Sequence, residues 1–141
     1  MSFLLDTNVV SETRKSSRMN SGLRRWLSSV DAGELYISAL VLGEIRLGME
    51  RLRRRDRRHA EELEVWISAL RSNYAEKVLA VDAQAAEEWG RMNLPDPIST
   101  RDGLMAATAL TRGMTFVTRN TTDVERTGVK LLNPFEESGS G

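Results

Sequence analysis

Three carboxylates stand at places in this chain where chemistry is done. Phe3-Leu4-Leu5 is a short apolar run that stops at Asp6, which reads as a buried strand ending in an acid. Ligands of open α/β sheets bind in the crevice outside the carboxyl ends of the strands, so Asp6 is well placed. Glu44 interrupts a strongly apolar helical stretch, and Asp102 lies in the first turn of a helix that follows a Pro-containing loop. A buried, unpaired carboxylate is costly and normally becomes protonated. Several together are worse, because like charges repel. A hard divalent cation offsets both effects, and Mg²⁺ or Mn²⁺ takes oxygen ligands, often with retained waters and substrate phosphate. With no Cys and a single His, His59, a zinc site is not expected. A fourth ligand is sought in Thr118-Arg119-Asn120-Thr121-Thr122-Asp123, where Asn120 or Asp123 is the candidate. Each acid also has a structural reading: Asp6 as a helix cap, Asp102 as a charge favoured by the helix dipole, Glu44 as half of a salt bridge, Asp123 as a turn residue. Jointly the three acids point to a metal.

The elements that must position them follow in order. Phe3 to Leu5 is the first strand, and Val9 to Arg14 is a short helix that Thr7 or Asn8 can cap. Leu23, Trp26, Leu27 and Val30 recur at spacings of three and four, so residues 21 to 31 form an amphipathic helix capped by Asn20 or Ser21. Leu35-Tyr36-Ile37 is a second strand. Ser38 caps a helix over Ala39 to Arg53 with Leu42, Ile45, Met49 and Leu52 as its stripe. Leu40, Val41, Leu47 and Gly48 make the rest of its surface apolar, so this helix is expected to be buried on several sides around Glu44. A basic turn over Arg51 to Arg58 leads to a helix over His59 to Asn73, and the pair can form a projecting antiparallel hairpin. Lys77 to Val81 is a third strand, and Asp82 caps a helix over Ala83 to Met92. Ser99-x-x-Asp102 fits a capping box. The helix it opens is rich in small residues and is expected to pack closely. Met114 to Thr118 is a strand, Asp123 to Thr127 a short helix, and Val129 to Leu132 a last strand. Alternating strands and helices predict βαβ units and a three-layer α/β/α sandwich with a mainly parallel sheet.

The chain has 141 residues, with 20 basic and 20 acidic side chains. One domain over residues 1–135 is expected, followed by a polar, flexible tail over 136–141. Zero net charge argues against a wholesale electrostatic grip on nucleic acid but leaves room for a local basic patch. The absence of Cys fits a reducing compartment. There is no basic-then-apolar leader, and no apolar run approaches the roughly 18 residues of a membrane span. A cytoplasmic protein without membrane contact is expected.

Four stretches together resemble a known family. Leu4-Leu5-Asp6-Thr7-Asn8-Val9-Val10-Ser11-Glu12 is similar to the opening motif of PIN-domain proteins, specifically the VapC-type toxins of bacterial toxin–antitoxin pairs. Ser38 to Gly48 resembles their second motif, and Asp102-Gly103-Leu104-Met105-Ala106-Ala107-Thr108-Ala109 the third. Val117-Thr118-Arg119-Asn120, with Gly128-Val129 and Leu132-Asn133-Pro134-Phe135, resembles the closing segment. The likeness runs from Phe3 to Phe135, in the right order.

The resemblance implies a Mg²⁺- or Mn²⁺-dependent endoribonuclease with Asp6, Glu44 and Asp102 as metal-site acids. Many relatives carry a fourth acid where this chain has Asn120. Thr7 and Thr118 are expected behind the ligands. Metal-activated water is expected to leave a 5′-phosphate and a 3′-hydroxyl. A homodimer and a cognate antitoxin are also implied, as is an RNA substrate. The expected RNA-binding surface is the arginine-rich hairpin, above all Arg51, Arg54 and Arg55, with Arg119 nearer the acids. Trp26, Trp66 and Trp89 are expected in the core, and His59 on the surface. Two other readings are kept. A haloacid-dehalogenase-type phosphatase usually needs a second acid two residues after the first, where this chain has Asn8. A catalytically weakened PIN-like module that binds RNA or a partner protein is suggested by Asn120 alone.

Overall fold

The computed structural model describes residues 1–136. The tail expected over 136–141 therefore lies outside the described residues except for Glu136. That residue is tied down: its backbone carbonyl accepts from Asn20 Nδ2 at 2.9 Å, and its carboxylate meets Ser21 and Arg25.

β1 (Phe3–Leu5), β2 (Leu35–Ser38), β3 (Val78–Leu79), β4 (Thr115–Val117) and β5 (Leu131–Leu132) form one sheet in the order β3-β2-β1-β4-β5. Every neighbouring pair is parallel. β1 is fully buried, as its unbroken apolar triplet requires of a strand covered on both faces. The chain leaves β1 toward β2 and β3, then returns to lay β4 and β5 on its other side. Right-handed crossovers running in opposite directions put their helices on opposite faces, which gives the three layers. The register aligns Leu5 with Ile37 and with Val117. The residues that follow, Asp6, Ser38 and Thr118, thus share one sheet edge. This edge is also the point where the strand order reverses.

The helices are α1 (Thr7–Thr13), α2 (Ser21–Ser29), α3 (Ala39–Arg53), α4 (Arg57–Asn73), α5 (Ala83–Met92) and α6 (Thr100–Thr111). α3 and α4 pack together as the expected hairpin. α6 buries Ala106, Ala107 and Ala109 against the sheet. It also approaches α5 so closely that a Cβ on Gly103 would stand 2.9 Å from Ile98 Cγ2 and closer still to Trp89.

Several sequence expectations change. α1 starts at Thr7 because Asp6 itself is the cap, not Thr7 or Asn8. The edge strands β3 and β5 are two residues each, shorter than expected, and short edges resist pairing with other chains. Asp123 to Thr127 is not one helix but two 3₁₀ turns, Thr121–Asp123 and Glu125–Thr127. α3 is not buried on several sides: it buries Val41, Ile45 and Met49, while Leu47 is 50% exposed. Hydrophobicity alone does not bury a surface that no element covers. The Ser99 capping box is half made. Ser99 Oγ accepts from the Asp102 N–H at 3.2 Å, but the Asp102 carboxylate turns to Arg101 instead.

Candidate active site

Asp6 ends β1 and caps α1 in the same stroke. Its N–H continues the ladder to the Val117 carbonyl at 2.9 Å, and its extended backbone aims the carboxylate back over the first turn. The residue is 1% exposed. Oδ1 accepts from the Thr7 N–H at 2.7 Å. Oδ2 accepts from the Thr118 hydroxyl at 2.6 Å and from Asn8 Nδ2 at 3.4 Å. Glu44, one turn and a half into α3, accepts at Oε1 from the Thr7 hydroxyl at 2.6 Å. Thr7 therefore joins Asp6, its neighbour in sequence, to Glu44, 37 residues further on from Thr7, the first through its backbone and the second through its side chain.

Arg101 completes the centre. It lies in the first turn of α6, and its guanidinium reaches all three acids. Nε donates to Glu44 Oε1 and Oε2 at 3.0 and 2.9 Å, one terminal nitrogen donates to Asp102 Oδ1 at 2.8 Å, and the other to Asp6 Oδ1. Burial by itself would favour losing the proton. The hydrogen bonds to Glu44, Asp6 and Asp102 outweigh it and hold the guanidinium above even the ordinary arginine range. The carboxylates thus meet around one cation, and that cation belongs to the chain.

The remaining candidates spread around this point. Asn120 is exposed; its N–H donates to Thr118 Oγ1 at 3.1 Å, behind Asp6. Asp123 is exposed in a 3₁₀ turn, and neither its side chain nor that of Asn120 hydrogen-bonds to an acid of the centre. Arg119 donates its N–H to Asn8 Oδ1, while its guanidinium lies 3.9 Å over the Phe135 ring. Arg51 and Arg54 are exposed at the hairpin turn. Arg55 instead lines a cavity of about 380 Å³ that opens directly beside Thr7 and Glu44. This cavity runs into another of about 520 Å³, the two sharing Arg14, Leu52, Leu63 and Trp66. Lys15, Arg18 and His59 lie at the far end. His59 is exposed, as expected, and caps nothing but pairs with Asp56.

Sequence reasoning missed Arg101, Asn8 as a donor to Asp6, and the cations Arg14, Lys15 and Arg18 that follow α1. Arg101 did leave a signal. A positive charge in the first turn of a helix opposes the macrodipole, so its position needs another explanation, which the acids supply. Nothing local marks Arg14, whose role depends on α1 and α4 facing each other.

The donor set suits a hard cation: three carboxylates, with Thr7 and Thr118 hydroxyls fixing two of them. Among the described residues no three acidic or histidine side chains stand as a group ready to hold a metal ion. The guanidinium occupies the space between them. The acids fit a divalent ion once Arg101 gives way.

A parallel α/β/α domain with an acidic centre at its strand-order reversal has that centre where open α/β sheets bind their ligands. The chain belongs to the PIN domain family, whose model matches residues 3–130. It is 30% identical to toxin FitB of Neisseria gonorrhoeae, with 95% of this chain and 99% of that protein covered. It is also 30% identical to VapC ribonuclease Y4jK of Sinorhizobium fredii, over 94% of this chain and 97% of that one. The crystal structure of FitAcB from Neisseria gonorrhoeae superposes with a TM-score of 0.84 at 28% identity, covering 94% of this chain and 97% of that chain.

Proposed function

We propose that this chain is a metal-dependent endoribonuclease, the toxin of a toxin–antitoxin pair. The observation that carries the reading is the meeting of Asp6, Glu44 and Asp102 at one point on the carboxyl edge of the sheet. The relatives named as a VapC ribonuclease and as a toxin support the substrate and the role. Asp6, Glu44 and Asp102 would hold Mg²⁺ or Mn²⁺. When bound, such an ion supplies an activated water near neutral pH and neutralises charge on the phosphate in transfer.

The chain's own residues do the rest. Thr7 and Thr118 fix the Glu44 and Asp6 carboxylates so that their free oxygens face the common point. Asn8 ties Asp6, Thr118 and the Arg119 backbone together, keeping that sheet edge rigid. RNA lies along the groove formed by the two joined cavities, gripped by Arg14, Lys15, Arg18 and Arg55 rather than by Arg51 and Arg54. A cognate antitoxin and a homodimer belong to this reading, and the domain spans residues 1–135.

The test is cleavage of cellular RNA by purified protein freed of antitoxin, in Mg²⁺ or Mn²⁺ and in EDTA. Discrete metal-dependent fragments carrying 5′-phosphates are expected from the parent and none from Asp6→Asn, Glu44→Gln or Asp102→Asn. An Asp6→Asn protein as fast as the parent would sink the mechanism. One further reading has an observation in its favour. Arg101 between the acids, with Asn120 reaching Asp6 only through the Thr118 hydroxyl, suits a PIN module of weakened activity that binds RNA or protein. Folded parent protein inert in every metal would favour it.

A further inference from the structure

We propose that Arg101 is a resident counter-ion that holds the acidic centre together without metal and competes with a divalent ion for it. The inference rests on the reading above, that the acids take such an ion.

The contact is too complete to be incidental. Every nitrogen of the guanidinium is spent on the three acids, and nothing else receives a hydrogen bond from it. The fork reaches Glu44 through Nε and the other two acids through separate terminal nitrogens, the planar, multi-donor geometry that lysine lacks. Asp6 is 1% exposed and cannot be left charged without a partner. Its hydroxyl and amide donors, Thr118 and Thr7, are neutral. Arg101 is the cation that contacts it among the described residues.

The same oxygens are the ones an incoming ion would need. Asp6 Oδ1, both Glu44 oxygens and Asp102 Oδ1 all face the guanidinium. An ion at coordination distance from them would stand where the guanidinium stands. Arg101 also has a way out: its side chain is 32% exposed, against 2% for Asp6. Entry of the ion therefore means rotation of Arg101 outward, and loss of the ion lets it close. A helix first turn is the wrong end for an arginine, so its place there is explained by the acids and not by α6.

Mn²⁺ binding to the metal-free chain, read by titration calorimetry, tests this in the parent, Arg101→Ala, Arg101→Lys and Asp6→Asn. A side chain that fills the site weakens the apparent affinity of the ion by the fraction of chains in which the site is open. With Arg101 closed over the acids in about nine chains of ten or more, Arg101→Ala is expected to bind Mn²⁺ at least about tenfold more tightly than the parent. Arg101→Lys, which keeps the charge and loses the fork, should fall between. Millimolar methylguanidinium should weaken Mn²⁺ binding to Arg101→Ala and leave the parent unchanged. Melting in EDTA provides a second reading: Arg101→Ala should melt below the parent and gain more on saturation with Mn²⁺. An Arg101→Ala chain that folds only when Mn²⁺ is present supports the same conclusion. Equal Mn²⁺ affinity in parent and Arg101→Ala overturns the counter-ion while leaving the metal reading intact. No Mn²⁺ bound by either, with Asp6→Asn alike, overturns the metal reading and the inference with it.

Discussion

At the scale of single residues, hydroxyl groups decide how the acids are presented. Thr118 is 1% exposed and gives its proton to an equally buried Asp6 oxygen. Thr118→Val keeps the shape and removes that donor. Leaving a buried acceptor short of a partner costs about 1–3 kcal/mol. A loss of that size is expected in the unfolding free energy of the metal-free protein, measured by urea denaturation, with a lower RNA cleavage rate. An unchanged midpoint would mean that Asp6 does not depend on Thr118. Glu12 illustrates a different use of a buried acid. Burial raises its pKa, but the Lys15 ammonium at 2.9 Å and the Asn20 N–H at 2.9 Å outweigh burial and lower it overall. A carboxyl whose folded pKa lies below its unfolded value, about 4.3, stabilises the fold above that value. The contribution fades as pH falls through the lowered one. Melting temperature should therefore drop on acidification in the parent, and Glu12→Gln should show a shallower drop below about pH 4.

Elements show what local sequence can and cannot reveal. The triplets Phe3–Leu5 and Thr115–Val117, the caps Asn20, Ser38, Asp82 and Ser99, and the bounds of α3 and α5 follow from patterns a few residues long. They are legible because the forces that set them act within one or two turns. Asp6 was legible as a strand-end acid on the sheet edge, whereas Glu44 and Asp102, on α3 and α6, were picked out by an acid in an apolar stretch, by a helix first turn and by the family resemblance. The occupant of that edge was not legible: Arg101 and Asp6 are 95 residues apart, and only the docking of α6 against β1 and β4 joins them. The exposure of Leu47 was missed for a similar reason, because an apolar pattern does not state whether a partner covers it. Packing between α5 and α6 makes a sharp prediction at this scale. Gly103 sits where a Cβ would meet Trp89 and Ile98. Overpacking a core contact costs about 1–3 kcal/mol, so Gly103→Ala should lower stability by that amount in chemical denaturation. It should also displace Asp102, the next residue back, and reduce Mn²⁺ affinity. A fully stable Gly103→Ala chain would show that α5 can retreat freely.

The whole molecule carries no net charge, with 20 basic and 20 acidic side chains. A grip on RNA cannot then come from an overall field and must be local. The hairpin that looked most basic in sequence is partly self-neutralised: Arg46 faces Glu64 and Glu50, and Arg53 faces Glu50. The groove beside the acids is different. Three helices converge there: Arg14 lies just past the end of α1, Leu52 is on α3 with Arg55 just past its end, and Trp66 is on α4. Among the described residues Glu62 is the acid that lines the outer cavity against Arg14, Lys15 and Arg18, of which Lys15 is paired with Glu12. Gly48 leaves the floor open, with nothing within 4 Å of where its Cβ would stand. Each phosphate contact to a single strand contributes about 0.7 to the log–log slope of affinity against salt. Arg14→Glu with Arg55→Glu should therefore weaken binding of an eight-nucleotide RNA to the metal-free chain and flatten that slope by about 1.4. Arg91→Glu with Lys130→Glu makes the same change in total charge away from the groove and should leave the slope as it is. Equal flattening in both pairs would mean that RNA responds to overall charge and that the groove is not its path.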